Sequence, residues 1–141
     1  MRRNWYAAPV IAPLPCEEIV LRAITKSGWL NLDGRLNHNA FIRDPKKDSD
    51  GLSVNLRSRT DLPAWLSGVF DKSWGADSLH SGRIRTLGLE VGQTAKDLAE
   101  QSDHGVIDGL PFSDDDPERA EYLAGQLARM SRQVDRVKRR K

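Results

Sequence analysis

Cysteine is nearly missing from this chain: Cys16 stands alone. No internal disulfide can form, and a reducing compartment, the cytoplasm, is the expected setting. A single thiol reads first as a small buried apolar side chain rather than a nucleophile. Long apolar runs are missing too. No window approaches the roughly 18 apolar residues of a membrane span, so no membrane partner is expected. The start, MRRNWYAAPVIAPLP, is basic at Arg2 and Arg3, but prolines interrupt it and no secretory leader is read there.

Several chemical signatures are absent as well. HExxH, HxxxH and paired cysteines do not occur, which removes the usual zinc patterns. Gly88 and Gly92 form neither GxGxxG nor GxxxxGK, and there is no nucleophile elbow. Asp48, Asp50 and Gly51 begin like a calcium loop, but the remaining acidic positions do not follow. Glu90, Asp103 and Asp108 offer at most a carboxylate-only magnesium site that no pattern indicates. No metal and no cofactor is expected.

Charge of one sign is also scarce. Twenty-two Lys and Arg face twenty Asp and Glu, a net charge of +2. Only the distribution of charge can therefore argue for a polyanionic partner. At 141 residues, with 38% apolar and 30% charged side chains, one domain with a modest core is expected. The fold class expected is α+β: a small mixed β-sheet, short helices and one long C-terminal amphipathic helix. The organisation reads as an extended Pro-rich arm at 1–15, a core domain at 16–113 and the basic helix at 114–141.

In the arm, Pro9, Pro13 and Pro15 hold the backbone extended, while Trp5, Tyr6, Val10 and Ile11 give it apolar surface. It is expected to lie across its own domain. Glu18 to Ile24 reads as a central strand, apolar on both faces except at Arg22, which must find a carboxylate, a set of carbonyls or a ligand phosphate. Leu52 to Leu56 alternates, with Leu52, Val54 and Leu56 inward and Ser53 and Asn55 opposite. A short helix is expected near Pro63.

Gly82 to Leu110 reads as strand, helix, strand. Ile84, Leu87, Leu89 and Val91 form the first strand, broken at Gly92. Thr94 caps a helix through Leu98, and Val106 and Ile107 begin the second strand. Asp116 and Pro117 then open the clearest helix. Ala120, Leu123, Leu127, Met130, Val134 and Val137 recur in steps of three and four, a heptad seam. The seam either packs on the parent domain, the favoured reading, or pairs with a partner helix or a second copy.

Three groups of residues carry candidate chemistry. Arg132, Arg136, Lys138, Arg139, Arg140 and Lys141 crowd one end of the chain, suited to the phosphate backbone of DNA or RNA. A histidine with an arginine beside it is the minimum for metal-free phosphodiester cleavage, met by His104 with Arg22 or by His80 with Arg83 or Arg85. A structural role for His104 would instead pair it with Asp103 or Asp108.

Arg22, Ser53 and Glu90, on three successive strands, follow the order of ADP-ribosyltransferases of the arginine–serine–glutamate type, which they resemble. Asn55 replaces that family's second-strand hydroxyl, and Gly88 stands two residues before Glu90. The pattern LRAI (21–24), DGRLNHNAF (33–41), DGLSV (50–54) and HGVIDG (104–109) also resembles a group of small hypothetical bacterial proteins. That resemblance implies a compact bacterial α+β protein with no particular activity, and it singles out Arg22, Phe41, Ser53 and His104.

The function expected first is that of a small cytosolic bacterial protein acting on or beside nucleic acid through its basic C-terminal helix, as a subunit of a larger assembly. Two alternatives stand beside it. One is a nuclease- or ADP-ribosyltransferase-like toxin or defence enzyme using Arg22, His80 and His104. The other is a non-catalytic protein–protein adaptor using the arm and the heptad helix.

Overall fold

Alternating burial builds the sheet. In strand β3 (Leu52–Leu56), Leu52, Val54 and Leu56 are buried while Ser53 and Asn55 turn to the other face, as the sequence implies. The computed structural model describes residues 10–65 and 74–136. Within them seven strands form one sheet: β1 (Ala12–Pro13), β2 (Ile19–Ala23), β3, β4 (Gly75–His80), β5 (Glu90–Gln93), β6 (His104–Asp108) and β7 (Arg132–Arg136). Their order is β1-β5-β6-β3-β2-β4-β7. Strand β2 is central, as its two apolar faces demand.

Every neighbouring pair is antiparallel. The expected mixed sheet is therefore corrected. A parallel return needs a crossover of a dozen or more residues. Strands β5 and β6, the pair most like a crossover unit, are joined by only residues 94–103.

Local capping works as the sequence implies. Thr94 caps α3 (Ala95–Ala99) in a reciprocal box with Asp97. Asp116 caps α4 (Pro117–Met130), with Pro117 at its first position. Asp61 caps the single turn α1 (Leu62–Ala64).

Elsewhere the boundaries move. Ile84 lies in helix α2 (Ser81–Arg85), not in a strand, and Gly92 lies inside β5 rather than ending it. A methyl group at Gly92 would collide with the Ala12 carbonyl, so the glycine lets the arm lie on the sheet. Residues 11–14 indeed run along β5; Trp5 and Tyr6 fall outside the described residues.

The largest correction concerns the chain's end. Helix α4 stops at Met130, Ser131 turns extended, and Arg132–Arg136 become β7 on the outer side of β4. Local periodicity favours continuing the helix to Val137. An open β4 edge offers a whole ladder of backbone hydrogen bonds, and that pairing wins.

The apolar seam is consequently divided. Leu123 and Leu127 are fully buried in the chain's own core with Val20, Phe41, Leu56, Leu79 and Ile107, and Met130 packs at its margin. Val134 sits on β7 against the small cluster of Leu21, Trp65 and Ala76, while Val137 lies outside the described residues. Leu123 and Leu127 are not available to a partner helix.

Truncating the seam tests this placement. Leu127→Ala is expected to lower unfolding free energy by about 2–5 kcal/mol, read from urea denaturation. A change confined to oligomeric state, with stability untouched, would contradict it.

Candidate functional site

Strand β2 stays paired with β4 along its whole length, but it meets β3 only at Val20–Leu56 and Leu21–Asn55. Beyond those pairs the two strands part, and side chains take over the missing ladder. The Ser53 N–H donates to Asp48 Oδ1 at 3.2 Å. The Ser53 carbonyl accepts from Arg22 Nη1 at 2.8 Å, and Arg22 Nε donates to the Ala40 carbonyl at 2.9 Å. The guanidinium also lies 5.0 Å from the Trp29 ring centroid.

Arg22 is thus a strut between splayed strands. Burial pulls its pKa below the usual value, and the nearby Asp48 opposes that shift. Of the three partners the sequence allows this arginine, a carbonyl set is the one found. Arg43, which the sequence does not single out, does similar work one layer away. It donates to the carbonyls of Asp48, Ser49 and Leu110 and lies 3.9 Å over Phe112.

The splay opens a cleft of about 1000 Å³ that holds Arg22, Ser53, Asn55 and His104 on its walls. Trp29, Trp65 and Trp74 also line it, three of the chain's four tryptophans. Lys26 and Lys47 stand exposed on the same cleft. Asp44 beside them accepts from the N–H groups of Lys46 and then Lys47, which hold its pKa below the carboxylate norm.

His104 enters through register. Leu21 faces Asn55, and Asn55 faces His104, so the three lie in one row across β2, β3 and β6. Its ring does not pair with Asp103 or Asp108. His104 Nδ1 lies 2.8 Å from Asp97 Oδ1 on α3. Asp103 lies in the bend just before β6. Asp103 instead accepts from the Thr60 hydroxyl at 3.4 Å.

The backbone of His104 is gripped as well. Its N–H donates to Ser102 Oγ at 2.9 Å, and its carbonyl accepts from Gln93 Nε2 at 2.8 Å. In the neutral imidazole, a carboxylate on Nδ1 places the proton on that nitrogen and leaves Nε2 as the acceptor. Nε2 has no protein partner among the described residues, and the side chain is 36% exposed where it lines the cleft.

No protein-family model, curated protein or solved structure matches the chain. Function must follow from the chemistry of the cleft.

The other sequence candidates lie elsewhere. His80 ends β4, exposed and outside the cleft. Glu90 is paired with Arg85 at 2.6 Å, and Arg85 also donates to the Leu14 carbonyl and to Cys16 Sγ, which fastens the arm to β5. Cys16 is exposed rather than buried. Of the arginine–serine–glutamate order, Arg22 and Ser53 reach the cleft and Glu90 does not.

Among the described residues no three His, Cys, Asp or Glu side chains converge as metal ligands, so Glu90, Asp103 and Asp108 do not form one group. No helix among the described residues is long and apolar enough to cross a membrane. Arg132 is exposed on β7 and Arg136 ends that strand; Lys138, Arg139, Arg140 and Lys141 lie outside the described residues.

Two measurements test this geometry. Arg22→Ala orphans the buried Ala40 carbonyl, an expected loss of about 1–3 kcal/mol, and the part-buried Ser53 carbonyl, which adds less. Arg22→Lys should recover little of it, because an ammonium does not reproduce the guanidinium fork. Equal stability of Arg22→Lys and wild type in urea would sink the strut.

Asp108 gives the second test. Burial raises its pKa, against N–H donors from Val10 and Gly109. A carboxyl with a raised folded pKa binds its proton more tightly when folded, so its ionisation weakens the fold and stability recovers as pH falls through that pKa. Asp108→Asn should therefore match or exceed wild-type stability at pH 7, and the gain should vanish once the solution is acid enough to protonate Asp108.

Proposed function

We propose that the cleft binds a nucleotide unit of single-stranded nucleic acid. The observation that carries this reading is that Trp29 and Trp74 line one cleft with the exposed Lys26 and Lys47, with Trp65 buried in its wall. Indole faces stack on bases of any sequence, and lysines at the rim attract the phosphate. Two buried guanidinium groups, Arg22 and Arg43, add fixed positive charge behind the opening.

The size suits the ligand: about 1000 Å³ is the upper end of the range of small-molecule and cofactor sites. Asn55 supplies an amide in the wall that can hydrogen-bond a base edge.

In this reading the cleft, not a basic helix, is the specific locus. The cationic end of the chain is auxiliary: exposed Arg132, with Arg136 on β7 and the lysines and arginines of 138–141, adds sequence-independent attraction.

Tryptophan fluorescence provides the test. A single-stranded hexanucleotide should quench emission saturably, with an affinity that falls as salt rises. Lys26→Ala and Lys47→Ala should each weaken binding several-fold and flatten the salt slope. Deleting 137–141 should flatten the slope without abolishing the quench. Failure of the oligonucleotide to quench, or a quench indifferent to salt and to both lysines, overturns the proposal.

A further inference from the structure

The described histidines differ sharply in how they are held. His38 is half-buried, 3.5 Å from Glu121 of α4, and His80 is the exposed last residue of the otherwise largely buried β4. His104 is fixed at three points: Asp97 on its ring, Ser102 on its N–H and Gln93 on its carbonyl. Gln93 is itself buried and receives Arg59 Nη1 on its Oε1 at 3.2 Å.

Asp97 is equally constrained. It is 5% exposed, its Oδ2 accepts from Thr94 N–H at 3.1 Å, and its Oδ1 remains for the imidazole. A purely structural histidine needs one satisfied nitrogen and tolerates a loose second one. Here Asp97 holds the ring through Nδ1, two further side chains hold its backbone, and the part-exposed residue lines a cleft that also carries Lys26 and Lys47. That is the arrangement of a positioned proton acceptor.

We infer that His104 is a catalytic general base acting on RNA in this cleft, and that Asp97 is the positioning residue that fixes its tautomer. This inference rests on the nucleotide-binding reading above. RNA carries its own nucleophile next to each phosphate, so a single proton acceptor beside a bound phosphodiester suffices to start cleavage.

The step balances. His104 Nε2 takes the 2′-hydroxyl proton while O2′ attacks the adjacent phosphorus and the P–O5′ bond breaks. The departing O5′ takes a proton from water, and the imidazolium returns its proton to the hydroxide left behind. The products are a 2′,3′-cyclic phosphate and a 5′-hydroxyl. In this step Lys26 and Lys47, exposed on the same cleft, offset charge gathering on the phosphoryl oxygens.

The experiment uses the full chain with a single-stranded RNA hexamer and the same hexamer carrying 2′-deoxyribose throughout. Binding is read by tryptophan fluorescence and cleavage by product separation. Wild type should cleave the RNA to 2′,3′-cyclic ends and bind the deoxy hexamer without cleaving it.

His104→Ala and His104→Gln should each lower kcat at least about 100-fold, with affinity within about threefold of wild type. Free imidazole should restore part of the His104→Ala rate, which a structural role would not allow. Asp97→Asn should lower kcat at least about tenfold with KM unchanged, and should have no further effect in the His104→Ala background. His80→Ala should leave the rate unchanged.

RNA that binds but is not cleaved overturns the catalytic inference and leaves the binding reading intact. Equal cleavage of the deoxy hexamer overturns attack by the 2′-hydroxyl. If neither hexamer binds, the nucleotide reading itself fails.

Discussion

A buried guanidinium holds two diverging strands in place, and the rest of the molecule's interest depends on it. Strands β2 and β3 could have zipped along their full length, leaving a flat, closed sheet and no cleft. Instead Arg22 reaches across from β2 to the carbonyls of Ser53 and Ala40, while Asp48 takes the Ser53 N–H. Side chains thereby satisfy the N–H and carbonyl of Ser53, which a neighbouring strand would otherwise satisfy. Asp48 also offsets the electrostatic cost of a buried cation. Arg43 repeats the device one layer further out, holding the carbonyls of Asp48, Ser49 and Leu110.

The two faces of the sheet divide the labour. One carries Leu52, Val54 and Leu56 against α4 and the turn His38–Phe41, and it contains most of the apolar core. The other carries Ser53, Asn55 and His104, a polar row laid over a rigid scaffold. Tryptophans are concentrated at the cleft and not at the centre of the large core, where the biggest fully buried side chain is Phe41. Trp29 and Trp74 are partly buried and pack against the margin of the main cluster, where Arg22 lies over the Trp29 ring.

How far the chain could be read in advance depended on how local each signal was. The alternation of β3, the two apolar faces of β2 and the caps at Thr94 and Asp116 were legible because each is written within a few residues. Arg22 stands out because a charged side chain on an apolar strand requires a reason, Ser53 and Glu90 through the arginine–serine–glutamate order, and His104 and His80 as histidines that an arginine could join. Glu90 and His80 lie outside the cleft. Residue type and order do not say which face a side chain takes or what neighbour claims it; Arg85 claims Glu90. Arg43 and Asp97 carry no comparable signal. Arg43 sits in an undistinguished loop, and Asp97 reads as an ordinary capping-box residue until β6 is laid beside α3.

By itself, then, the amino-acid order determined the element types with strong local punctuation, the inward and outward faces of β3, and the need for buried partners at Arg22. It also placed a helix start at Asp116–Pro117. Only the tertiary structure decided that the heptad seam breaks at Met130 and becomes an edge strand, that β2 and β3 splay, and that Asp97 turns the ring of His104. The physical reason is common to all three. Each outcome is a contest between a local preference and a hydrogen-bonded pairing with residues far along the chain, and the strength of that pairing exists only once the sheet has formed.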